Sequence, residues 1–170
     1  MGKVGGPRPF WERPLESLNR EEWEALCDGC GQCCTHKLED ADTGDIFHTN
    51  VACKLLDLKT ARCADYRNRL DHVPDCLRLT LRNVPGISWL PETCAYRLRA
   101  DDKPLHDWHY LISGDRDAVR AAGVAVIGKV ISEVDAGPIE QHAILPEGYE
   151  AMLDEDDDDR DGDAYPNGDD

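Results

Sequence analysis

Long apolar runs are missing from this sequence. Nowhere does it hold the run of about eighteen apolar residues that a membrane-spanning helix needs. The N-terminal stretch MGKVGGPRPFWERP lacks the apolar segment of a signal peptide, and Gly6 stands where a myristoylation pattern requires Ser or Thr. Aromatic residues are scarce at 6%, with two Phe among them, while 32% of residues are charged. A chain of 170 residues fits one domain plus tails, but so modest an apolar supply means that cross-linking by metal or disulfide would help it hold together. Positive charge is also short, with 19 Lys and Arg against 35 Asp and Glu and a formal net charge of −16. Nucleic-acid backbones demand a basic face, so nucleic acid is excluded as the main partner. Catalytic signatures are absent as well: there is no Gly-rich nucleotide loop ending in Gly-Lys-Ser/Thr, no G-x-S-x-G elbow and no H-E-x-x-H. These absences place the protein in the cytoplasm, with no membrane and no nucleic acid as partner.

The negative charge is unevenly placed. Residues 154 to 170, DEDDDDRDGDAYPNGDD, carry ten acids and one arginine, a net of −9, leaving −7 for the rest. Like charges with little to bury stay solvated, so 151–170 reads as a disordered acidic tail. Its spacing lacks the terminal glutamate of a calcium loop. At the other end, Gly2, Gly5, Gly6, Pro7, Pro9 and Pro14 mark 1–14 as an irregular arm, with Phe10 and Trp11 able to anchor it.

Between them, Asn19 is a plausible N-cap with Glu22 completing a capping box, and Leu18 and Trp23 can form a hydrophobic staple. Further signals are a turn at Thr43-Gly44, an extended stretch around Ile46 to His48, and a helical turn within 64–71. A short helix capped by Thr80 is expected to stop at Pro85-Gly86, and a helix is expected over 92–100. The segment GVAVIGKVISEV fits either period, but its glycines and β-branched residues favour a strand.

What the chain has in quantity is cysteine. Residues 27–34 read CDGCGQCC, and Cys53, Cys63, Cys76 and Cys94 follow. In a reducing compartment such a set points to metal or redox chemistry rather than disulfides. Cys27, Cys30 and Cys33 are each separated by two residues, a spacing that lets a tight loop aim several sulfurs at one point. Gly29 and Gly31 accept positive φ and let backbone N–H groups approach the sulfurs. Soft thiolates suit zinc and iron–sulfur clusters. The C-x2-C-x2-C run also begins bacterial ferredoxins, but there the next cysteine comes after three further residues, whereas Cys34 follows here immediately. The eight thiols could form two four-cysteine sites or one cluster with spare thiols.

His36, His48 and His72 stand near cysteines and could supply nitrogen ligands, although a lone histidine is more often simply hydrogen-bonded. His106, His109 and His142 have no ligand spacing. From Lys54 to Arg99 nine basic residues outnumber five acids, a net of +4 that could offset thiolate charge. A Cys33-Cys34 redox pair would need a low-pKa, exposed thiol, and little besides Lys37 favours that.

LCDGCGQCCTHKL, TNVAC, PDCLRLT, WLPETCAYRL and WHYL, taken in order from Pro9 to Leu145, resemble the YcgN-type branch of the CxxCxxCC family, bacterial proteins described as zinc- or iron-chelating. The resemblance implies that Cys27, Cys30, Cys33, Cys34, Cys53, Cys63, Cys76 and Cys94 are the chelating set, with zinc or iron, including iron as an iron–sulfur cluster, as cofactor. It supplies no reaction and does not extend to the acidic tail.

The expected fold is α+β: a small irregular cysteine-rich domain over 15–150 with short helices and little sheet, organised around a metal site. The expected function is a cytosolic metal-chelating protein with a metal ion as its partner. The alternative is an iron–sulfur cluster enzyme or electron carrier.

Overall fold

The chain enters its first α-helix through Asn19, whose Oδ1 accepts the Glu22 N–H at 2.9 Å while the Glu22 carboxylate accepts the Asn19 N–H at 3.0 Å. This reciprocal capping box opens α1, Arg20–Ala25, as the sequence leads one to expect, and satisfies donors that a helix start leaves open. Leu18 and Trp23, the staple pair, pack on the same apolar cluster. The computed structural model describes residues 6–145. The acidic tail and the first five residues of the N-terminal arm lie outside them.

Every later element is short. β1 (Thr35–Glu39) and β2 (Ile46–Ala52) form a hairpin, β3 (Leu56–Asp57) and β4 (Arg62–Cys63) a second. Then follow α2 (Arg69–His72), α3 (Ala95–Ala100), α4 (Tyr110–Ser113), α5 (Ala118–Ala121), β5 (Ile131–Ser132), α6 (Glu133–Ala136) and β6 (Ala143–Ile144). Isolated helices below about 12–15 residues are marginal in water, and none here exceeds six among the described residues, so tertiary packing sustains them. The architecture is α+β.

β2 is the centre of the main sheet. β1 pairs antiparallel along one edge, with Lys37 opposite His48 and an irregular register between Thr35 and Lys37. On the other edge lie β5, parallel at Val51 and Ala52, and β6, antiparallel at His48 and Thr49. The β1–β2 connection is the expected Thr43-Gly44 turn: the Asp40 carboxylate accepts the Asp42 and Thr43 N–H groups, and Gly44 takes φ 75°.

Among the described residues the apolar side chains divide into three small cores rather than one. The largest holds Leu26, Leu90, Tyr96 and Leu105, with Trp11, Trp23 and Cys94 at its margin. The second holds Ala52, Leu56, Ala61 and Val126, with Cys34 packed against it. The third holds Cys30, Val119 and Ala125, flanked by Trp108. Each core therefore has one cysteine in it or on its edge. The cysteine loop is where they meet.

Two expectations are corrected. GVAVIGKVISEV is not a strand apart from Ile131–Ser132. Gly123 and Gly128 take φ 74° and 77°, which interrupts extended backbone twice, and the Val126 N–H goes to the Cys30 carbonyl at 2.9 Å rather than to a ladder. Pro85-Gly86 does not stop a helix. Both residues lie inside a 3₁₀ turn, Val84–Gly86, where proline near the start has no N–H to waste. Thr80 nonetheless caps the turn before it, exchanging bonds with Asn83 at 2.8 and 3.2 Å. The helices around 69–72 and 95–100 fall where the sequence leads one to look, with Cys94 as the N-cap residue of α3.

Candidate functional site

The cysteine loop begins at a helix end that is held unusually firmly. A helix leaves its last carbonyls without intrahelical donors. Here three side chains from later in the chain take them up. The Tyr96 hydroxyl donates to Trp23 O at 2.7 Å, the Tyr110 hydroxyl to Ala25 O, and His109 Nε2 to Leu26 O at 2.9 Å. His109 Nδ1 meanwhile accepts the Leu111 N–H at 3.1 Å. That pair of partners requires a neutral imidazole with its proton on Nε2. Burial holds its pKa below the ordinary histidine value. Cys27 is the next residue after this clamp.

The loop itself turns on Gly29 and Gly31, both at φ 79°. The Gly29 N–H lies 3.4 Å from Cys27 Sγ and the Gln32 N–H 3.5 Å from Cys30 Sγ. These are the sulfur-directed amides the glycines were expected to permit. Gly31 is also sterically obligatory: a Cβ there would sit 2.8 Å from Val126 Cγ2 and 3.1 Å from Ala61 Cβ. The segment 124–126 closes over the loop. Val124 O accepts from Gln32 Nε2 at 2.8 Å, and the Val126 N–H donates to Cys30 O.

Five thiols gather around this loop. Cys27 and Cys33 lie at the surface and Cys30 is buried; even at the two surface positions the surrounding protein desolvates the sulfur. For Cys27 that burial, reinforced by Cys33, Asp28 and Cys94, pushes the pKa from 9.0 up to about 12. Burial, then Asp28 and the neighbouring thiols, raises Cys30 further. For Cys33 a hydrogen bond with Cys34 is the main cause, then burial, and Lys37 pulls the other way. Burial raises Cys94 as well, with Asp28 and Cys33 adding to it. The raised Cys33 thiol opposes the reactive-thiolate reading of Cys33-Cys34, which needs a lowered one.

Lys37 brings a cation to the group. Lys37 Nζ donates to Gln32 O, Thr35 O and Thr35 Oγ1 at 2.7, 2.6 and 3.1 Å and lies 4.5 Å from the Trp89 ring centroid. Burial lowers its pKa from 10.5 to about 8, while Cys33, Cys34 and Cys30 oppose the fall.

Cys53, Cys63 and Cys76 form a separate neighbourhood. Burial raises the Cys53 thiol, with smaller contributions from Glu133, Cys76 and Cys63. A backbone bond ties the two groups: the Cys53 N–H donates to Cys34 O at 2.8 Å. Glu133 links this region to the sheet, accepting the Lys54 N–H at 2.7 Å through Oε1 and contacting His36 Nε2 at 2.8 Å through Oε2.

The cysteines thus lie in two neighbourhoods, Cys27, Cys30, Cys33, Cys34 and Cys94 about the loop and Cys53, Cys63 and Cys76 beyond it, which touch where the Cys53 N–H meets Cys34 O. Among the described residues, no three His, Cys, Asp or Glu side chains converge at coordination distance. The donor set nevertheless fits a thiophilic metal: softness, number, sulfur-directed amides and one buried carboxylate oxygen without a partner, Asp28 Oδ2. Of the three histidine candidates, His36 contacts Glu133 and His72 contacts Asp65 at 3.3 Å, while His48 stands in β2 opposite Lys37. Sequence reasoning missed Asp28 and His109. Asp28 had a signal, since an Asp at the head of a Gly-rich turn commonly bonds the N–H two residues on, as it does to Cys30 at 2.9 Å. His109 had none.

Fold and loop together define a cysteine-rich α+β domain whose thiols are gathered rather than scattered. Residues 26–95 match the CxxCxxCC family, described as "Putative zinc- or iron-chelating domain". The chain is 54% identical over 140 residues to a UPF0260 protein of Rhizorhabdus wittichii, covering 82% of this chain and 96% of that one. It is 52% identical over 143 residues to a UPF0260 protein of Ectopseudomonas mendocina, with the same coverage. It is 50% identical over 137 residues to one of Vibrio parahaemolyticus, covering 80% and 94%. The chain belongs to the CxxCxxCC family. No solved structure matches it.

Proposed function

We propose that this protein chelates zinc or iron through cysteine thiolates, in the reducing cytoplasm, as a binding protein. The single observation that carries the reading is the gathering of Cys27, Cys30, Cys33, Cys34 and Cys94 around one glycine-hinged loop. Cys53, Cys63 and Cys76 complete the set of eight as a second group of donors near Glu133. Among the described residues no helix is long and apolar enough to cross a membrane, and the comparisons lend no support to the alternative of an iron–sulfur enzyme or electron carrier. The chelating unit is the domain over 15–150, with the arm 1–14 and the acidic tail 151–170 outside it.

Bound there, zinc would supply a redox-inert cross-link between the cores and iron a centre able to change oxidation state. The residues' own part is to present sulfur: the clamp on α1 fixes Cys27, Gly29 and Gly31 turn the loop, and the amides steady the thiolates.

Elemental analysis and a visible spectrum of protein purified without oxygen test the reading. Zinc or iron near stoichiometry is expected, and Cys30→Ser should lose metal and thermal stability together, because binding energy is folding energy in such sites. Metal-free wild-type protein with every thiol titratable would sink it.

A further inference from the structure

Asp28 is the anomaly of the cysteine loop. It is 6% exposed, and its Oδ1 accepts the Cys30 N–H at 2.9 Å. Its other oxygen, Oδ2, is buried with no hydrogen-bond partner among the described residues. A buried carboxylate oxygen left without a donor is costly, and buried charges in proteins are paired or coordinate metals.

Among the described residues no protein cation pairs with it. Lys37, whose charge bears on the loop thiols, has its Nζ committed to Gln32 O, Thr35 O and Thr35 Oγ1. Arg62 is exposed and lies beside Gly29, where a Cβ would be 3.6 Å from its Nη2. No ion pair to Asp28 forms among the described residues. The carboxylate stands between Cys27 and Cys30 in the loop, its Oδ1 on the Cys30 N–H, and its charge bears on Cys27, Cys30 and Cys94 and on His109, whose two ring nitrogens are already committed to Leu26 O and the Leu111 N–H. A carboxylate set among thiols that must themselves ionise to ligate is mutually repulsive until a cation sits between them.

We propose that Asp28 is a metal ligand: its free Oδ2 joins the thiolates of the loop, making this a mixed sulfur–oxygen centre rather than an all-cysteine one. The inference rests on the chelation reading and adds an oxygen donor to it. A hard donor in a soft set moves preference away from the most thiophilic ions and towards zinc and ferrous iron. Oδ1 keeps the loop folded, so one side chain both shapes the turn and offers the ligand.

Asp28→Asn separates the two roles, since the amide retains Oδ1 as acceptor for the Cys30 N–H but puts an NH2 group in place of Oδ2. Wild-type and Asp28→Asn protein are loaded with Co2+ under anaerobic conditions, and affinity is measured by chelator competition together with the visible d–d spectrum. The variant should bind Co2+ at least tenfold more weakly, with a shifted d–d envelope but retained sulfur charge-transfer bands. Equal affinity and an unchanged spectrum overturn the inference while leaving chelation standing. Wild-type protein that takes up none of Co2+, Zn2+ and Fe2+ overturns chelation itself and this inference with it. Should the variant fail to fold, X-ray absorption on wild-type zinc protein decides: an oxygen shell at about 2.0–2.2 Å beside sulfur at about 2.3 Å supports it, and an all-sulfur shell overturns it.

Discussion

Two glycines in the same loop share φ 79° yet face different surroundings, and this makes them unequal. At Gly29 a Cβ would meet only the flexible end of Arg62 at 3.6 Å, so Gly29→Ala pays conformational strain alone, about 1–2 kcal/mol. At Gly31 the same strain is joined by a 2.8 Å approach to Val126 and a 3.1 Å approach to Ala61. Overpacking of that kind adds about 1–3 kcal/mol. Urea denaturation should therefore rank Gly31→Ala as clearly less stable than Gly29→Ala, and equal losses would mean the 124–126 segment does not press on the loop. Ala61 itself takes φ 56° opposite Gly31, a conformation that L residues rarely adopt.

At the scale of elements, α1 is six residues long and would not persist alone. Its start was legible in the sequence because a capping box is local, with Asn19 and Glu22 three residues apart. Its end was not, because its carbonyls are taken by Tyr96, His109 and Tyr110, which lie 73 to 85 residues further along and carry no spacing signal. The same division explains the segment after Gly123: two periods fitted it equally well, and a non-local bond from the Val126 N–H to Cys30 O settled the matter. Cysteine identity and glycine placement could be read directly, whereas which thiols neighbour one another depends on how the cores pack. Tyr96→Phe removes one carbonyl donor while keeping the ring in the core and should cost about 1 kcal/mol. Combined with Asn19→Ala, which costs about 1 kcal/mol at the opposite end, a double-mutant cycle should show coupling if α1 responds as one cooperative unit. Strict additivity would indicate independent ends.

For the whole molecule, stability of metal-free, reduced protein should fall on both sides of neutrality. On the alkaline side Cys27 is raised from 9.0 to about 12, with Cys30, Cys33 and Cys94 raised too. Below pH 9 both states hold neutral thiols and the preference is fully present. As pH climbs from 9 towards 12 the unfolded chain ionises first and the preference is lost. On the acid side burial depresses both His109 and His48 below 6.5. Their contribution is intact above that value and declines as pH falls, because the unfolded chain takes the proton first. Melting temperatures at pH 5.5, 7.5 and 10 with chelator present check both limbs. Metal-loaded protein should lack the alkaline loss and release its metal in acid instead. The closure of the cysteine loop by the 124–126 segment also has a meaning in time. Gln32 and Val124 are 92 residues apart, so at about 5–20 residues per second of synthesis the ribosome has exposed all four loop thiols for roughly 5–20 s before their cover is made. During that interval the nascent chain presents CDGCGQCC to the cell uncovered, and whichever ion or oxidant reaches it first meets a site that does not yet have its roof.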